Sequence, residues 1–192
     1  MSENPVNRKN TPLPKQLKPG EGETLTLLGE PRVFKVTPAE NGGACLIFET
    51  WHASGTKIPL HAHREEDEAF FVLNGEFEFL IGPDRLLATA GDLLFVPRGA
   101  FHGFTTVGRH IGRLLITVTP GAQHEGFFLE ANELARGQNK PPGKAQLLAL
   151  TLKYGWVWPY RSIQIPFADV LPRRGVQILK RWSFACLLLL PL

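Results

Sequence analysis

The chain has 192 residues, which suits one domain with short extensions, and 43% of its residues are apolar against 20% charged. This balance excludes a wholly disordered chain. The chain has only two cysteines, too few for a disulfide framework. The net charge of +3 comes from the two ends, because residues 21–155 carry 12 basic and 16 acidic residues. We therefore expect no nucleic-acid partner.

The N-terminal segment 1–29 is polar and begins with a proline-rich stretch, so we interpret it as an extended or disordered arm. The sequence contains no apolar segment of signal-peptide type. It also contains no apolar segment as long as the roughly 18 residues needed to cross a bilayer. We expect a cytoplasmic protein with no membrane partner.

Short segments rich in β-branched and aromatic residues, each followed by a turn signal, predict strands over most of 30–120. The predicted strands are 33–36, 45–50, 57–61, 68–73, 76–81, 85–89, 92–96, 101–106 and 112–119. Asn74-Gly75 is a strong hairpin signal and predicts that 76–81 is the return strand of 68–73. The spacing is typical of an all-β sandwich or barrel.

Helical periodicity replaces alternation in 121–155 and predicts two helices, 124–136 and 144–154, as a lid or flank. The C-terminal tail, 156–192, holds three of the four tryptophans and five basic residues, with no clean period. We interpret it as an atypical, poorly packed extension. The alternative is a genuine C-terminal strand and arm.

The segment after residue 55 carries side chains suited to metal binding. Alternate residues share a face of a strand, so His61 and His63 point the same way, and Glu68 opens the next predicted strand. A hairpin between these strands would bring the three side chains together. A third imidazole is available from His102, after a turn that contains proline and glycine. Imidazole and carboxylate together suit a divalent transition metal.

The segment from Gly55 to Gly75 resembles the first cupin motif, G-x5-H-x-H-x4-E-x6-G, at every marked position. The segment that begins at Gly91 resembles the second motif, G-x5-P-x-G-x2-H-x3-N, except that Thr106 replaces the asparagine. The resemblance implies a cupin barrel, that is, a double-stranded β-helix or jelly roll, with two C-terminal helices. Among cupins, the chain is similar to bacterial quercetin 2,3-dioxygenase-like proteins.

The same resemblance implies that His61, His63, Glu68 and His102 bind one divalent transition metal, which could be Fe, Mn, Ni, Co, Cu or Zn. It also implies a catalytic role for Glu68 as a general base in a dioxygenase that acts on a small aromatic or enolisable substrate. Two alternatives remain open: a metal-dependent isomerase or lyase on a small sugar or keto acid, and a non-catalytic metal- or ligand-binding cupin. We expect a homodimer.

Other candidates have weaker signals. His52, His110 and His124 fit no ligand spacing, and we interpret them as surface or turn histidines. The acidic run 65–67 is either a solvated loop or a group that tunes the metal or gates access. Arg98 is either an exposed turn arginine or a contact for an anionic substrate group. The phenylalanines that could line an apolar pocket or belong to the core are Phe48, Phe70, Phe77 and Phe104.

Overall fold

The computed structural model describes residues 14–27, 29–138 and 140–159, so most of the predicted C-terminal tail and the first half of the N-terminal arm lie outside it. The strands are β1 (Glu23–Leu27), β2 (Glu30–Val36), β3 (Leu46–His52), β4 (Lys57–His63), β5 (Asp67–Asn74), β6 (Glu76–Ile81), β7 (Asp84–Thr89), β8 (Leu93–Val96), β9 (His102–Val107), β10 (Gly112–Thr119) and β11 (Trp156–Val157). The helices are α1 (Ala122–Gln138) and α2 (Lys144–Lys153), and Pro38–Glu40 is a 3-10 turn.

The strands form two antiparallel sheets. One has the order β1-β2-β3-β10-β5-β8 and the other the order β11-β4-β9-β6-β7. Most neighbours in each sheet are distant in sequence, as in a jelly roll, where the chain crosses repeatedly between two facing sheets. The predicted all-β barrel followed by two helices is confirmed.

The core lies between the two sheets and follows from the alternation of each strand. In β10, every second side chain is buried, and the inward set includes Leu114, Ile116 and Val118. Phe77 and Phe79 of β6 are fully buried opposite them. Burial of one such side chain is worth about 1.5–3 kcal/mol, so the period of two keeps each strand in register.

The predicted hairpin at Asn74-Gly75 is wrong, although both of its strands form. β5 pairs with β8 and β10, whereas β6 pairs with β7 and β9, so the turn carries the chain from one sheet to the other. The physical reason is that both strands bury one aromatic face: Phe70 and Phe79 meet across the barrel with ring centroids 5.2 Å apart. Gly75 has φ +83°, and a Cβ there would lie 2.7 Å from the Gly112 Cα.

The hairpin expected between β4 and β5 does not form either, because those strands also lie in different sheets. Their side chains approach one another across the interior of the barrel, not side by side within a sheet. The turn signals mark where the chain reverses, and they do not reveal which sheet it enters next.

Two strands lie outside the nine that alternation predicted, and the second agrees with the alternative of a C-terminal strand in the tail. β1 lies within 1–29 and directs Leu25 and Leu27 inward, a five-residue alternation short enough to be overlooked. β11 begins the C-terminal tail and has two residues, which is too short for a periodic signal.

The two helices pack against the barrel. α1 lies on β1 and β3 and buries Phe127, Phe128 and Ala131, while α2 contacts α1 and β11. Their ends differ from the prediction by at most two residues, which is ordinary for helix termini. Within the described residues, no helix is both long and apolar enough to cross a membrane.

Candidate metal centre

Four side chains from both sheets converge inside the barrel. His61 and His63 lie on β4, His102 lies opposite His61 on β9, and Glu68 reaches them from β5 in the other sheet. One potential ligand atom from each lies within 4.8 Å of all the others, and all four residues are buried. We call His61, His63, Glu68 and His102 the histidine–glutamate cluster. The cluster could hold a metal ion.

Backbone carbonyls orient two of the imidazoles. His61 Nδ1 donates to Pro59 O at 2.7 Å, and His102 Nδ1 donates to Ala100 O at 3.0 Å. A carbonyl oxygen can only accept, so in each ring Nδ1 carries the proton and Nε2 is the atom left for another partner. A hydrogen bond of this kind holds an imidazole in the tautomer and orientation required of a metal ligand.

The contact between His102 and Glu68 requires a positive charge. His102 Nε2 lies 2.7 Å from Glu68 Oε2, and both atoms are acceptors when the imidazole is neutral. Either a proton on Nε2 or a metal ion makes this distance favourable. Burial would lower the pKa of His102, but its hydrogen bond and charge interaction with Glu68 raise that pKa overall.

His63 provides the clearest fit to a metal ligand. Its Nε2 lies 3.1 Å from Glu68 Oε2, but neither of its buried ring nitrogens makes a hydrogen bond of acceptable geometry within the described residues. A buried polar atom without a partner is costly and calls for an explanation. A metal ion at the cluster would satisfy one of the two nitrogens.

Electrostatics keeps His61, His63 and Glu68 in the protonation states that a metal needs. Burial, with the charges of His102 and His63, lowers the pKa of His61 to about 3, so this imidazole is neutral. Burial also lowers the pKa of His63. For Glu68, burial would raise the pKa, but the surrounding imidazoles outweigh it and hold the pKa well below the usual value. The carboxylate is therefore ionised.

His124 was interpreted as a surface or turn histidine, but the structure buries it beside the cluster. It is 3% exposed, and its Nε2 lies 3.4 Å from Glu68 Oε1. Glu66 Oε2 binds His124 Nδ1 at 3.0 Å, while Glu66 Oε1 accepts from the backbone N–H groups of Gln123 and His124 at the start of α1. His63, Glu66 and His124 thus form a second group of close potential ligands.

A sequence signal for His124 existed. His124, Phe127, Phe128 and Ala131 follow the spacing of one helix face, and all four are buried. The three residues of the acidic run 65–67 have different environments: Glu65 is exposed, Glu66 is buried, and Asp67 pairs with Arg98.

Arg98 is an exposed turn arginine, since about half of its side chain is exposed. It donates to Asp67 from its backbone N–H, Nε and Nη2, and these hydrogen bonds lower the pKa of Asp67 to about 2. The pair fixes the turn before β9 against β5. Of the other two histidines, His110 is exposed, whereas His52 is buried and contacts Glu30 and Thr50.

Trp156 closes the cluster from the C-terminal side. β11 pairs with β4 so that Trp156 lies opposite His63, and the indole stacks on His61 with centroids 4.7 Å apart and planes at 16°. Trp156 is 9% exposed. The first residues of the predicted C-terminal tail therefore contribute directly to the site.

The cluster opens onto a cavity of about 520 Å³ with a mostly apolar lining. We call it the aromatic cavity. The residues that contribute aromatic rings to it are Phe48, Phe70, Phe104, Phe127, Phe128, Trp156 and Trp158. Three of the four phenylalanines considered for a pocket lie here, whereas Phe77 is fully buried in the core. Its size and lining are typical of a small-molecule site.

The fold and the cluster define a class of protein: a jelly-roll barrel with imidazoles and a carboxylate gathered between its sheets. Residues 48–124 match the family described as a cupin domain. This part of the chain is similar to cupin domains, and the match contains the ligand positions of both motifs.

Quercetin 2,3-dioxygenase from Bacillus subtilis (strain 168) is 33% identical over 95 residues, which are 48% of this chain and 27% of that protein. The match thus spans about a quarter of the relative's own length. The structure of KdgF from Halomonas sp. has a TM-score of 0.50 at 17% identity and covers 56% of this chain and 94% of that one. An RmlC-like cupin from Shewanella frigidimarina has a TM-score of 0.47 at 26% identity, covering 54% and 88%. The KdgF likeness supports the fold.

Proposed function

We propose that this chain is a mononuclear metal-dependent oxidoreductase, a dioxygenase that acts on a small aromatic or enolisable substrate. One observation carries the proposal: the buried histidine–glutamate cluster lies in the wall of a cavity lined mainly by aromatic rings. The partial similarity to a protein named quercetin 2,3-dioxygenase supports the choice of reaction and of an aromatic substrate.

The proposed metal ligands are His61, His63 and His102, through their ring nitrogens, and Glu68, through its carboxylate. Fe, Mn, Ni, Co, Cu and Zn all accept this ligand set. A bound divalent ion would supply a Lewis acid and, for a redox-active metal, a centre for oxygen chemistry. The two carbonyl-oriented imidazoles and the unpartnered nitrogens of His63 support this assignment.

Glu68 is also the proposed general base. Among the described residues that line the aromatic cavity, it is the sole carboxylate. Its ionised state allows it to accept the proton of a substrate hydroxyl or enol. His63 and His102 contact Oε2, while Oε1 faces His124 at 3.4 Å. The two oxygens thus have different surroundings, and Oε1 is the one we assign to the proton.

The rings around the cluster would position the substrate and exclude water. Phe70 and Phe104 lie on facing sheets with centroids 6.2 Å apart, and Trp156 covers His61 from the side. A planar substrate can pack against such rings through offset or edge contacts. Exclusion of water strengthens every charge interaction with Glu68.

Oxygen uptake tests the proposed function. Protein reconstituted separately with Fe, Mn, Ni, Co, Cu or Zn is assayed in an oxygen electrode against flavonols and β-diketones. We expect uptake with at least one redox-active metal, and a decrease of about 10²–10⁴-fold in Glu68→Gln, because the amide cannot accept the substrate proton. Metal binding without uptake for any metal would contradict the dioxygenase and favour the isomerase, lyase or non-catalytic alternatives.

Glu66→Gln is expected to weaken metal binding by about 10–100-fold, the usual effect of losing a group that orients a ligand. The Glu66 carboxylate holds His124, which in turn faces Glu68. The glutamine amide lacks the negative charge that holds the His124 imidazole in this position. Competition with a chromophoric chelator measures the dissociation constant. Glu65→Gln, an exposed neighbour, is the matched control. Equal affinities in the two variants would show that Glu66 does not position the cluster.

A further inference from the structure

A cation is buried in the wall of the aromatic cavity, away from the histidine–glutamate cluster. Arg32 on β2 is 8% exposed and lines the cavity. Its Cζ lies 5.1 Å from the centroid of the Phe128 ring. A buried charge is costly unless it is paired, so the partners of this guanidinium are informative.

The guanidinium is held in place, and its one ion pair among the described residues, with Glu30, is long and leaves two of its nitrogens without a hydrogen bond. Nη1 donates to Leu27 O at 3.1 Å and to Glu30 O at 3.2 Å. Glu30 Oε2 is 3.9 Å from Nη2, beyond hydrogen-bond distance, and the Glu30 carboxylate already binds His52 and Thr56. Within the described part of the chain, no hydrogen bond involves Nε or Nη2 of Arg32. Burial lowers its pKa to about 10, so it is cationic at neutral pH.

The position of Arg32 sets the length of a possible ligand. In the six-stranded sheet, β3 and β10 lie between β2, which carries Arg32, and β5, which carries Glu68. Three strand spacings put the axes of β2 and β5 about 14 Å apart, and the strand register places Arg32 in the row of Val72, four residues along β5 from Glu68. Both residues line the aromatic cavity, so a ligand that contacts both must be elongated.

We propose that Arg32 binds a carboxylate of the substrate, so that the substrate class is planar aromatic or enolisable carboxylic acids. The acid group would lie at Arg32 and the reacting hydroxyl or enol at the cluster. A guanidinium presents paired N–H donors that match a carboxylate, and Nε and Nη2 form such a pair. The assignment of the reacting end rests on the proposed function, whereas the anion site does not.

Calorimetry with a matched pair of probes tests the anion site. The probes are 6-hydroxy-2-naphthoate and its neutral amide, 6-hydroxy-2-naphthamide, titrated into the full chain after removal of metal. We expect the acid to bind about tenfold or more tightly than the amide, as for a charge-assisted hydrogen bond. Because no metal is present, the carboxylate cannot gain affinity by coordinating one.

Three variants identify the residue. Arg32→Met should abolish the preference for the acid, and Arg32→Lys should retain part of it, since lysine keeps the charge but loses the paired donors. Lys144→Met removes a lysine that lines the cavity and is exposed, and it should leave the preference within about twofold. Thermal unfolding establishes that each variant is folded.

Equal binding of acid and amide by the wild-type protein would overturn the anion site, and this result does not depend on any variant. A preference that persists in folded Arg32→Met, or that is lost in Lys144→Met, would also overturn it. If the protein binds no metal but prefers the acid, the proposed function fails and the anion site stands.

Discussion

His102→Ala is expected to lower the affinity for a divalent transition metal by more than about 100-fold, a larger effect than that of losing a group outside the ligand set. The variant removes a ring whose Nε2 lies 2.7 Å from Glu68 and whose Nδ1 is fixed by Ala100 O. No other imidazole reaches that position from β9. Elemental analysis of purified protein and chelator competition measure the loss.

His110→Ala is the matched control, because it removes an exposed histidine from the turn after the same strand. We expect it to retain wild-type metal content and affinity. Stoichiometric metal with unchanged affinity in His102→Ala would refute the proposed ligand set. Circular dichroism separates loss of a ligand from loss of the fold.

Trp156→Ala is expected to lower the free energy of unfolding by about 3 kcal/mol or more, in the range measured for large aromatic residues in cores. The indole is 9% exposed and contacts His61, His63 and Phe127. Its removal leaves a void that a two-residue strand cannot refill. Urea unfolding followed by circular dichroism measures the change.

Trp51→Ala offers a comparison with the same change in side-chain volume. Trp51 is half-buried, and Arg113 lies over its ring with Cζ 5.4 Å from the centroid. We expect a cost of about 1 kcal/mol, as for a partly exposed cation–π contact. Similar costs for the two tryptophans would mean that β11 does not contribute to the core as its burial suggests.

The effect of Trp156 bears on the organisation of the chain. Because the composition changes after residue 155, the sequence analysis placed the C-terminal tail outside the domain. In the structure, Trp156 and Val157 pair with β4, and Trp156 covers the cluster. Residues 160–192 lie outside the described part of the chain, so their role stays a prediction, as does the homodimer.

The strands, and the common face of His61 and His63, were predictable because they depend on local periodicity. A period of two places His61 and His63 on one face of β4 in any fold that makes this segment a strand. The segments 76–81 and 112–119 were predicted with the observed bounds, since alternation and turn signals mark both ends. The glycine and proline positions of the two motifs then allowed the resemblance to be stated.

His124, Glu66, Trp156 and Arg32 could not be assigned by the same means. Each reaches the site through a contact between elements distant in sequence, as Glu66 and His124 do across 58 residues. Short-range spacing contains no information on how α1 docks or which sheet receives β11. The mistaken hairpin at Asn74-Gly75 has the same origin, because a turn has a local signal and a strand partner does not.

The sequence by itself determined the all-β class, the two following helices, and the spacing that places His61, His63, Glu68 and His102 in two cupin motifs. These properties depend on period, turn chemistry and residue type, which the chain carries locally. Only the tertiary structure decided that the chain passes from one sheet to the other at its turns, that His124 and Glu66 support Glu68, and that a buried arginine lines the aromatic cavity. Those properties depend on which buried faces meet, and that is decided by packing of the whole barrel.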